Sequence, residues 1–400
     1  MTVSKRSSLR SELPRALILP AWLAGLLIVL VGFSGTLPLI LAAAGAAQLS
    51  SAQLSSWVFA VTAGSGLLTL GLSLHYRQPL IFAWSTPGLA VLALTLPKFP
   101  LEQAVGVYLT VGLVIALIGW SGLFERIMAL IPQNVALAVL GGILLKFGVG
   151  LFGAFALEPT LVGAALLAYF VARGLNNRVP VAWALLAGFL AAALSGRLTL
   201  AGVTLELAQP VFYAPVFSGG SLLELGVPLL ALALASQNAP GIAVIVSSGY
   251  VAPVRSALVS SGLLSALTAP LLGHGLTLAA ITAAIGMGPE AHPNKDLRYG
   301  AGVAAGFIYM VLGLFAGTLV ALFQALPKAL ISGLAGLALL GTIQNCMTGA
   351  FSDPRRRDSS LWALLVSASS AELFGLSGAF WGLLTGAGIH FLLERKREIW

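Results

Sequence analysis

Residues 80–88 read LIFAWSTPG, a sequence that predicts an extended segment followed by the start of a helix. It begins with a run of β-branched and aromatic side chains, which favours extended backbone. A hydroxyl pair and a proline follow, so Ser85 or Thr86 is predicted as the N-cap of a helix. Pro87 would then occupy the first helical position, where a missing N–H costs nothing. The alternative is that Ser-Thr-Pro merely kinks one continuous helix.

The composition excludes a water-soluble globular protein. Hydrophobic residues make up 58% of the 400 residues and charged residues 8%, against roughly one-quarter charged in soluble chains. A membrane-spanning helix needs roughly 20 apolar residues. Breaks at proline, glycine and charge clusters predict an all-α polytopic membrane protein with fourteen spans, at about 16–44, 54–74, 79–97, 103–123, 133–151, 159–173, 180–196, 221–246, 255–272, 275–288, 300–323, 329–347, 360–374 and 377–393.

The positive charges predict the orientation of these spans. With a cytoplasmic N-terminus, only Lys98, Lys146, Arg197 and Lys328 of the 21 Lys and Arg residues fall on or toward the outer side. This bias follows the positive-inside rule and predicts that both termini are cytoplasmic. The net charge of +8 therefore reports topology and not a nucleic-acid partner. With Cys346 as the single cysteine and no Cys/His pair at zinc spacing, no metal or cofactor is predicted.

The chain contains an internal repeat. Residues 131–141 align with residues 326–336 at a constant offset of 195, and residues 34–38 parallel residues 236–240. Each half holds seven spans, and an odd number makes the halves inverted, as in secondary transporters. The alternative is that apolar helices align by composition alone. The predicted division is a tail at 1–15, a first repeat at 16–200, an outer linker at 201–220, a second repeat at 221–393 and a tail at 394–400.

An inverted repeat places its binding site near the midplane, where paired helices break. The offset of 195 carries Pro87 onto Thr282, which is predicted as the matching cap of a half-helix in the tenth span, within residues 276–284. Spans 3 and 10 are therefore predicted to be discontinuous, with their helix N-termini facing each other. Such termini form an anion site without a lysine or arginine.

The eighth span carries three polar residues, Ser236, Gln237 and Asn238, in an apolar run. Amides at membrane depth are costly unless they meet a partner or a substrate, so they are predicted to orient a carboxylate. The alternative is hydrogen bonding between helices. Aromatic side chains for stacking are available nearby. The predicted substrate-binding residues are Phe33, Ser34, Trp84, Ser85, Thr86, Pro87, Gly88, Ser236, Gln237, Asn238, Ile281 and Thr282.

The proton-coupling residue is predicted from the titratable groups near the broken spans. No Asp or Glu lies in the middle of a span. Among the four histidines, His274 directly precedes the broken tenth span and is the first candidate. The alternative is that it is a structural or solvated loop histidine.

Five ordered motifs resemble the bacterial benzoate transporter (BenE) family over about residues 20–393. They are WSTPG at 84–88, SQNAPG at 236–241, AITAAI at 280–285, EAHP at 290–293 and LPKAL at 326–330. The resemblance implies a benzoate/proton symporter of the bacterial inner membrane. It also implies the seven-plus-seven inverted-repeat fold that this family shares with uracil and sulfate-type carriers.

In that fold a core domain, here 16–123 plus 221–323, holds substrate and moves against a gate domain, here 133–197 plus 329–393. The precedent of the fold also implies a possible homodimer through the gate. Relatives of this fold often carry a carboxylate in the eighth span. The aligned region here offers Gln237, which makes it the second candidate for proton coupling.

The expected function is import of benzoate or a related aromatic carboxylate with protons, by alternating access. The expected partners are this substrate, protons and the lipid bilayer. An anion channel, or a carrier for another small organic anion or a nucleobase, remains an alternative on the same fold. An intramembrane enzyme is disfavoured, because no nucleophile and base face each other across the spans.

Overall fold

Fourteen helices coincide with the fourteen predicted spans in the part of the chain that the computed structural model describes. The described residues are 9–130, 132–177, 180–198, 200, 203–279, 281–369, 373 and 378–394, with the side chains at 9–11, 34–35, 129–130 and 281 left out. The helices of the first half are α1 (Leu19–Ala46), α2 (Ser51–Tyr76), α3 (Thr86–Thr95), α4 (Leu101–Ser121), α5 (Gln133–Leu157), α6 (Pro159–Gly174) and α7 (Pro180–Leu194). Those of the second half are α8 (Gly219–Ser247), α9 (Val254–Thr268), α10 (Ile281–Met287), α11 (Tyr299–Leu314, continued as Ala316–Gln324), α12 (Lys328–Ala350), α13 (Arg357–Ala368) and α14 (Gly378–Ile389).

The helix lengths follow the inverted repeat. Within the described residues, eight helices are long and apolar enough to cross a membrane alone, namely α1, α2, α4, α5, α8, α9, α11 and α12. The shorter helices occupy equivalent positions in the two halves: α3 and α10, α6 and α13, and α7 and α14. The predicted fold class is confirmed: the protein is all-α, polytopic and built as a seven-plus-seven inverted repeat.

Spans 3 and 10 are broken, as predicted. Each begins with a short strand, β1 (Phe82–Trp84) or β2 (Leu276–Leu278), and continues as a short helix. The strands pair antiparallel, with Ala83 opposite Thr277. Because the strands run in opposite directions, α3 and α10 leave the ribbon in opposite directions. The alternative of a merely kinked helix is wrong.

Side chains of neighbouring helices satisfy the backbone N–H groups along the outer edges of this ribbon. The bonds join Leu80 N to Ser73 Oγ at 3.1 Å, Phe82 N to Thr69 Oγ1 at 2.9 Å, Leu276 N to Ser265 Oγ at 2.8 Å and Leu278 N to Asn238 Oδ1 at 3.1 Å. Extended backbone at membrane depth is tolerated only when protein groups replace water in this way. Helices α2, α8 and α9 therefore hold the ribbon in place.

Two helix pairs approach each other closely at glycines. Between α2 and α11, a Cβ on Gly66 would lie 2.7 Å from Gly306 O. Between α4 and α9, a Cβ on Gly112 would lie 2.8 Å from Gly262 O. The inverted repeat relates these two pairs to each other. Small residues allow such close backbone contact where lipid supplies no hydrophobic drive for helix association.

We expect the Gly66→Leu substitution to lower the unfolding temperature of the purified protein in detergent. The new side chain would meet the backbone of α11, and overpacking of this kind costs about 1–3 kcal/mol. Gly71→Leu on the same helix is the matched control, since a Cβ there meets no atom within 4 Å. Equal destabilisation by the two substitutions would contradict the close contact.

The linker between the repeats, residues 203–218, has no regular secondary structure. It hydrogen-bonds to the backbone of three predicted core segments, with Ala208 N to Leu314 O at 2.7 Å, Tyr213 N to Pro270 O at 2.8 Å and Val216 N to Glu102 O at 2.9 Å. The later helices of the two repeats contact each other, since α5 of the first repeat packs against α12 and α13 of the second. The division into a core and a gate stays a prediction.

Candidate substrate site

The start of α3 is built by the Ser-Thr-Pro turn at residues 85–87 that the sequence indicates, with a shift of one residue. Ser85 is the N-cap, and its Oγ accepts a hydrogen bond from Gly88 N at 3.1 Å. Thr86 is the first helical residue, so Pro87 is the second and the prediction of Pro87 at the first position is wrong by one residue. A Cβ on Gly88 would lie 3.1 Å from Leu229 Cδ2 of α8, so glycine permits close packing there.

Three aromatic rings meet beside this helix start. The ring centroids of Phe33 and Trp84 are 5.2 Å apart, those of Trp84 and Tyr309 5.8 Å, and those of Phe33 and Tyr309 6.0 Å. Phe33 on α1 and Trp84 on β1 belong to the first repeat, and Tyr309 on α11 belongs to the second. We call Phe33, Trp84 and Tyr309 the aromatic cluster. The contacts of Trp84 with Phe33 and with Tyr309 are edge-to-face, which is a favourable geometry for aromatic pairs.

Two polar hydrogens of the aromatic cluster have no acceptor within the described residues. Trp84 Nε1 and Tyr309 Oη are buried and make no hydrogen bond. A buried donor without a partner costs about 1–3 kcal/mol. Such groups in a native protein need an explanation, and a substrate that accepts hydrogen bonds provides one.

Sequence reasoning missed Tyr309. The signal was present, because a phenol hydroxyl in the middle of an apolar span is costly unless it finds a partner. Gly32 of α1 makes room for this hydroxyl, since a Cβ there would lie 2.5 Å from Tyr309 Oη.

The three polar residues of α8 lie at a wide, π-helical turn, Ala233–Asn238. Such turns are often found at functional sites. The Asn238 side chain is fully buried and donates to Ala233 O at 2.9 Å, while its oxygen accepts from Leu278 N. Gln237 is partly exposed and makes no hydrogen bond within the described residues, and Ser236 Oγ is buried without a partner. The adjacent amides therefore differ: Asn238 holds β2, and Gln237 is available to a ligand.

We expect Asn238→Ala to lower the unfolding temperature more than Gln237→Ala does. Removal of the Asn238 amide leaves Leu278 N and Ala233 O without their partners, at about 1–3 kcal/mol for each buried group. Thermal unfolding of both variants in the same detergent measures the difference. Similar unfolding temperatures would show that Asn238 does not anchor the ribbon.

In the tenth span, α10 begins at Ile281. Thr282 is the second residue of the helix, so the prediction that it is the N-cap is wrong. The reason is the short connection: β2 ends at Leu278, and the helix starts after two further residues. Thr282 is buried beside the ribbon. The predicted contacts of the Ile281 and Ser34 side chains lie outside the described residues.

His274 contacts the start of α3 directly. Its Nδ1 accepts a hydrogen bond from Trp57 Nε1 at 2.8 Å, and its Nε2 lies 3.3 Å from Ser85 O. These partners fit a neutral ring with its proton on Nε2, because the indole donates and the carbonyl accepts. The buried ring thus links α2 to the residue that caps α3.

The inverted repeat, with two broken spans that meet at a buried site, defines the class of the protein: a polytopic membrane transporter. The description "Benzoate membrane transport protein" (BenE) belongs to a family model that matches residues 16–392. The chain belongs to this family.

Individual relatives agree with this assignment. The benzoate membrane transport protein of Acinetobacter baylyi is 37% identical over 379 residues, which cover 95% of this chain and 96% of that protein. The inner membrane protein YdcO of Escherichia coli is 40% identical over 375 residues, which cover 94% and 96%. These relatives support a multi-pass protein of the inner membrane.

Solved structures with the same fold are more distant in sequence. The transmembrane domain of the cyanobacterial bicarbonate transporter BicA matches with a TM-score of 0.60 at 15% identity, covering 92% of this chain and 97% of that domain. The structure of SLC26A9 matches with a TM-score of 0.63 at 16% identity, covering 96% of this chain and 67% of that one. At this identity the likeness extends to the fold alone.

Proposed function

We propose that the protein imports benzoate or a closely related aromatic carboxylate together with protons by alternating access. The observation that carries the proposal is the aromatic cluster, whose two unpartnered donors lie beside the N-cap of α3. A benzene ring matches the apolar rings, and a carboxylate accepts the hydrogen bonds that Trp84 Nε1 and Tyr309 Oη lack. The family and the named activity of the Acinetobacter relative support the same substrate.

The carboxylate is held without a lysine or arginine in the broken spans. Its proposed donors are the two cluster groups, the Thr86 hydroxyl and the Gln237 amide. Thr86 and Gln237 are both partly exposed and make no hydrogen bond within the described residues. The start of α3, a helix of ten residues, adds the positive end of its dipole. Ser85, Pro87 and Gly88 shape this helix start, while Ser236 and Thr282 border the site.

The transport movement is proposed to separate two parts of the chain. The core, 16–123 plus 221–323, would carry the site past the gate, 133–197 plus 329–393. The charge bias supports cytoplasmic N- and C-termini. Two copies are proposed to associate through the gate, on the precedent of the seven-plus-seven inverted-repeat fold.

His274 and Gln237 remain the proposed proton-coupling residues. An amide does not titrate, so Gln237 would act by orienting water or the protonated acid. His274 would act differently. A second proton on Nδ1 would displace the Trp57 N–H, because both groups would then be donors. That displacement would loosen the contact between α2 and the start of α3.

We therefore expect His274→Gln to reduce proton-driven uptake at least about tenfold and to leave substrate counterflow within about twofold. Glutamine can accept from Trp57 and donate to Ser85 O, but it cannot carry a proton. Both rates are measured in the same proteoliposomes. An equal effect on both, or no effect on either, would exclude His274 as the coupling residue.

Uptake of labelled benzoate into proteoliposomes under an inward proton gradient tests the proposed function. Protein-free liposomes are the control, because protonated benzoic acid crosses lipid unaided. We expect saturable uptake above this control, competition by aromatic carboxylates, and loss of accumulation when the gradient is collapsed. Uptake equal to the control would refute the benzoate assignment. Flux that does not saturate would favour a channel, and competition by uracil or aliphatic anions would favour another substrate.

A further inference from the structure

A cavity lies away from the aromatic cluster, and none of the cluster residues lines it. It has a volume of about 480 Å³ and opens between α5, α12 and the end of α1. Small residues such as Gly150, Ser332 and Ala335 give it room, and the side chains of Lys146 and Lys328 line it. Its size falls in the range of small-molecule sites. In the proposed orientation it lies on the outer side.

Lys328 gives this cavity its accessible positive charge. The residue is exposed and makes no ion pair within the described residues. The cavity lining includes no acidic side chain among these residues. Glu158, which follows the outer end of α5, is paired with Arg197. Lys146 lies deeper, with its Nζ 3.5 Å from Ser369 O.

The inverted repeat adds an independent observation. Lys328 and Gln133 are equivalent at the offset of 195, and each follows a proline that is the N-cap of its helix, Pro327 or Pro132. The same position is therefore charged at the start of α12 and neutral at the start of α5. A difference between symmetry-related positions distinguishes the two sides of the membrane.

We propose that Lys328 makes this cavity an anion-collecting vestibule, a weak first binding site that the substrate carboxylate occupies on its way to the aromatic cluster. The proposal rests on the proposed function for its substrate. A cleft with low-dielectric walls and one sign of charge raises the local concentration of oppositely charged ligands.

The potential in the vestibule is tested by thiol modification at Ser332→Cys, one helical turn from Lys328. The native protein is the blank, because its single cysteine, Cys346, is buried. An anionic and a cationic methanethiosulfonate are applied from outside.

We expect Lys328→Gln in the Ser332→Cys background to lower the ratio of anionic to cationic reaction rates about fivefold at low salt, and less at high salt. Ala329→Cys is a second probe position on the same lining. An unchanged ratio at a reactive cysteine, or no external reaction at either position, would overturn the vestibule.

Transport kinetics test the role of the vestibule. We expect Lys328→Gln to raise KM for external benzoate about threefold to tenfold with kcat unchanged, and Gln133→Lys to leave that KM unchanged. If the native protein takes up benzoate and Lys328→Gln leaves KM unchanged, the cavity is not a first binding site for the substrate. If the native protein shows no benzoate uptake, the proposed function fails. The ratio of anionic to cationic reaction rates at the cysteine still decides whether the cavity attracts anions.

Discussion

Replacement of Trp84 by alanine is expected to lower kcat/KM for benzoate uptake about 100-fold or more. Trp84 is almost completely buried between Phe33 and Tyr309, and its indole N–H has no other acceptor within the described residues. The substitution removes an aromatic contact of about 0.5–1.5 kcal/mol and a hydrogen bond to a charged group of about 1.5–3 kcal/mol. Initial uptake rates, normalised to folded protein in the membrane, measure the loss.

Trp84→Phe separates binding from folding, because a large buried aromatic replaced by alanine also costs about 3–5 kcal/mol of stability. The phenyl ring preserves part of the aromatic packing and removes the N–H donor together with the five-membered ring. We expect an approximately tenfold loss of affinity with a smaller loss of stability than in Trp84→Ala. Trp120→Phe is the matched control, since that tryptophan is 64% exposed on α4. If Trp84→Phe and Trp120→Phe bind benzoate with equal affinity, the Trp84 N–H does not contact the substrate.

Tyr309→Phe is expected to weaken benzoate binding about 10-fold to 100-fold and to leave the unfolding temperature equal or higher. The hydroxyl is buried without a partner, so its removal relieves a cost in the empty protein. In the complex, the same removal takes a hydrogen bond from the carboxylate. Opposite signs for stability and affinity distinguish a binding group from a structural one, and titration calorimetry and thermal unfolding measure them.

Tyr299→Phe is the control for this substitution. Tyr299 lies on the same helix, and its hydroxyl is also buried without a hydrogen bond in the described residues, but it packs against Ala16 and Val303 away from the aromatic cluster. We expect no change in affinity there. Equal affinities for the two phenylalanine variants would exclude the Tyr309 hydroxyl from the site.

The sequence was sufficient for the broken spans and for the repeat. At residues 80–88, strand-forming side chains, cap and proline all favour the same local structure, so the turn formed nearly as predicted. The tenth span lacks the proline, and its helix starts two residues earlier than a cap at Thr282 predicts. The polar groups that support the ribbon, such as Thr69 and Ser265, were not predicted, because their partners lie on helices distant in sequence.

The candidate site was only partly predictable for the same reason. The sequence predicts Phe33 and Trp84 as aromatic residues of the site near the broken third span. Their contact with Tyr309 depends on the packing of α11 against α1. Gln237 and Asn238 are adjacent in sequence, and no pattern separates the amide that anchors β2 from the one that makes no hydrogen bond within the described residues. The charge of Lys328 was used for topology, and its place in a cavity required the approach of α5 to α12.

An aromatic carboxylate is proposed to bind at the aromatic cluster beside the start of α3. The most direct measurement is an anomalous difference map from crystals grown with 4-bromobenzoate, which locates the bromine without bias from the protein phases. We predict the carboxylate within hydrogen-bond distance of Trp84 Nε1 or Tyr309 Oη and of Thr86 or Gln237, with the bromine peak one ring length away from these groups. Bromine peaks only elsewhere, at ligand concentrations that saturate uptake, would contradict this site.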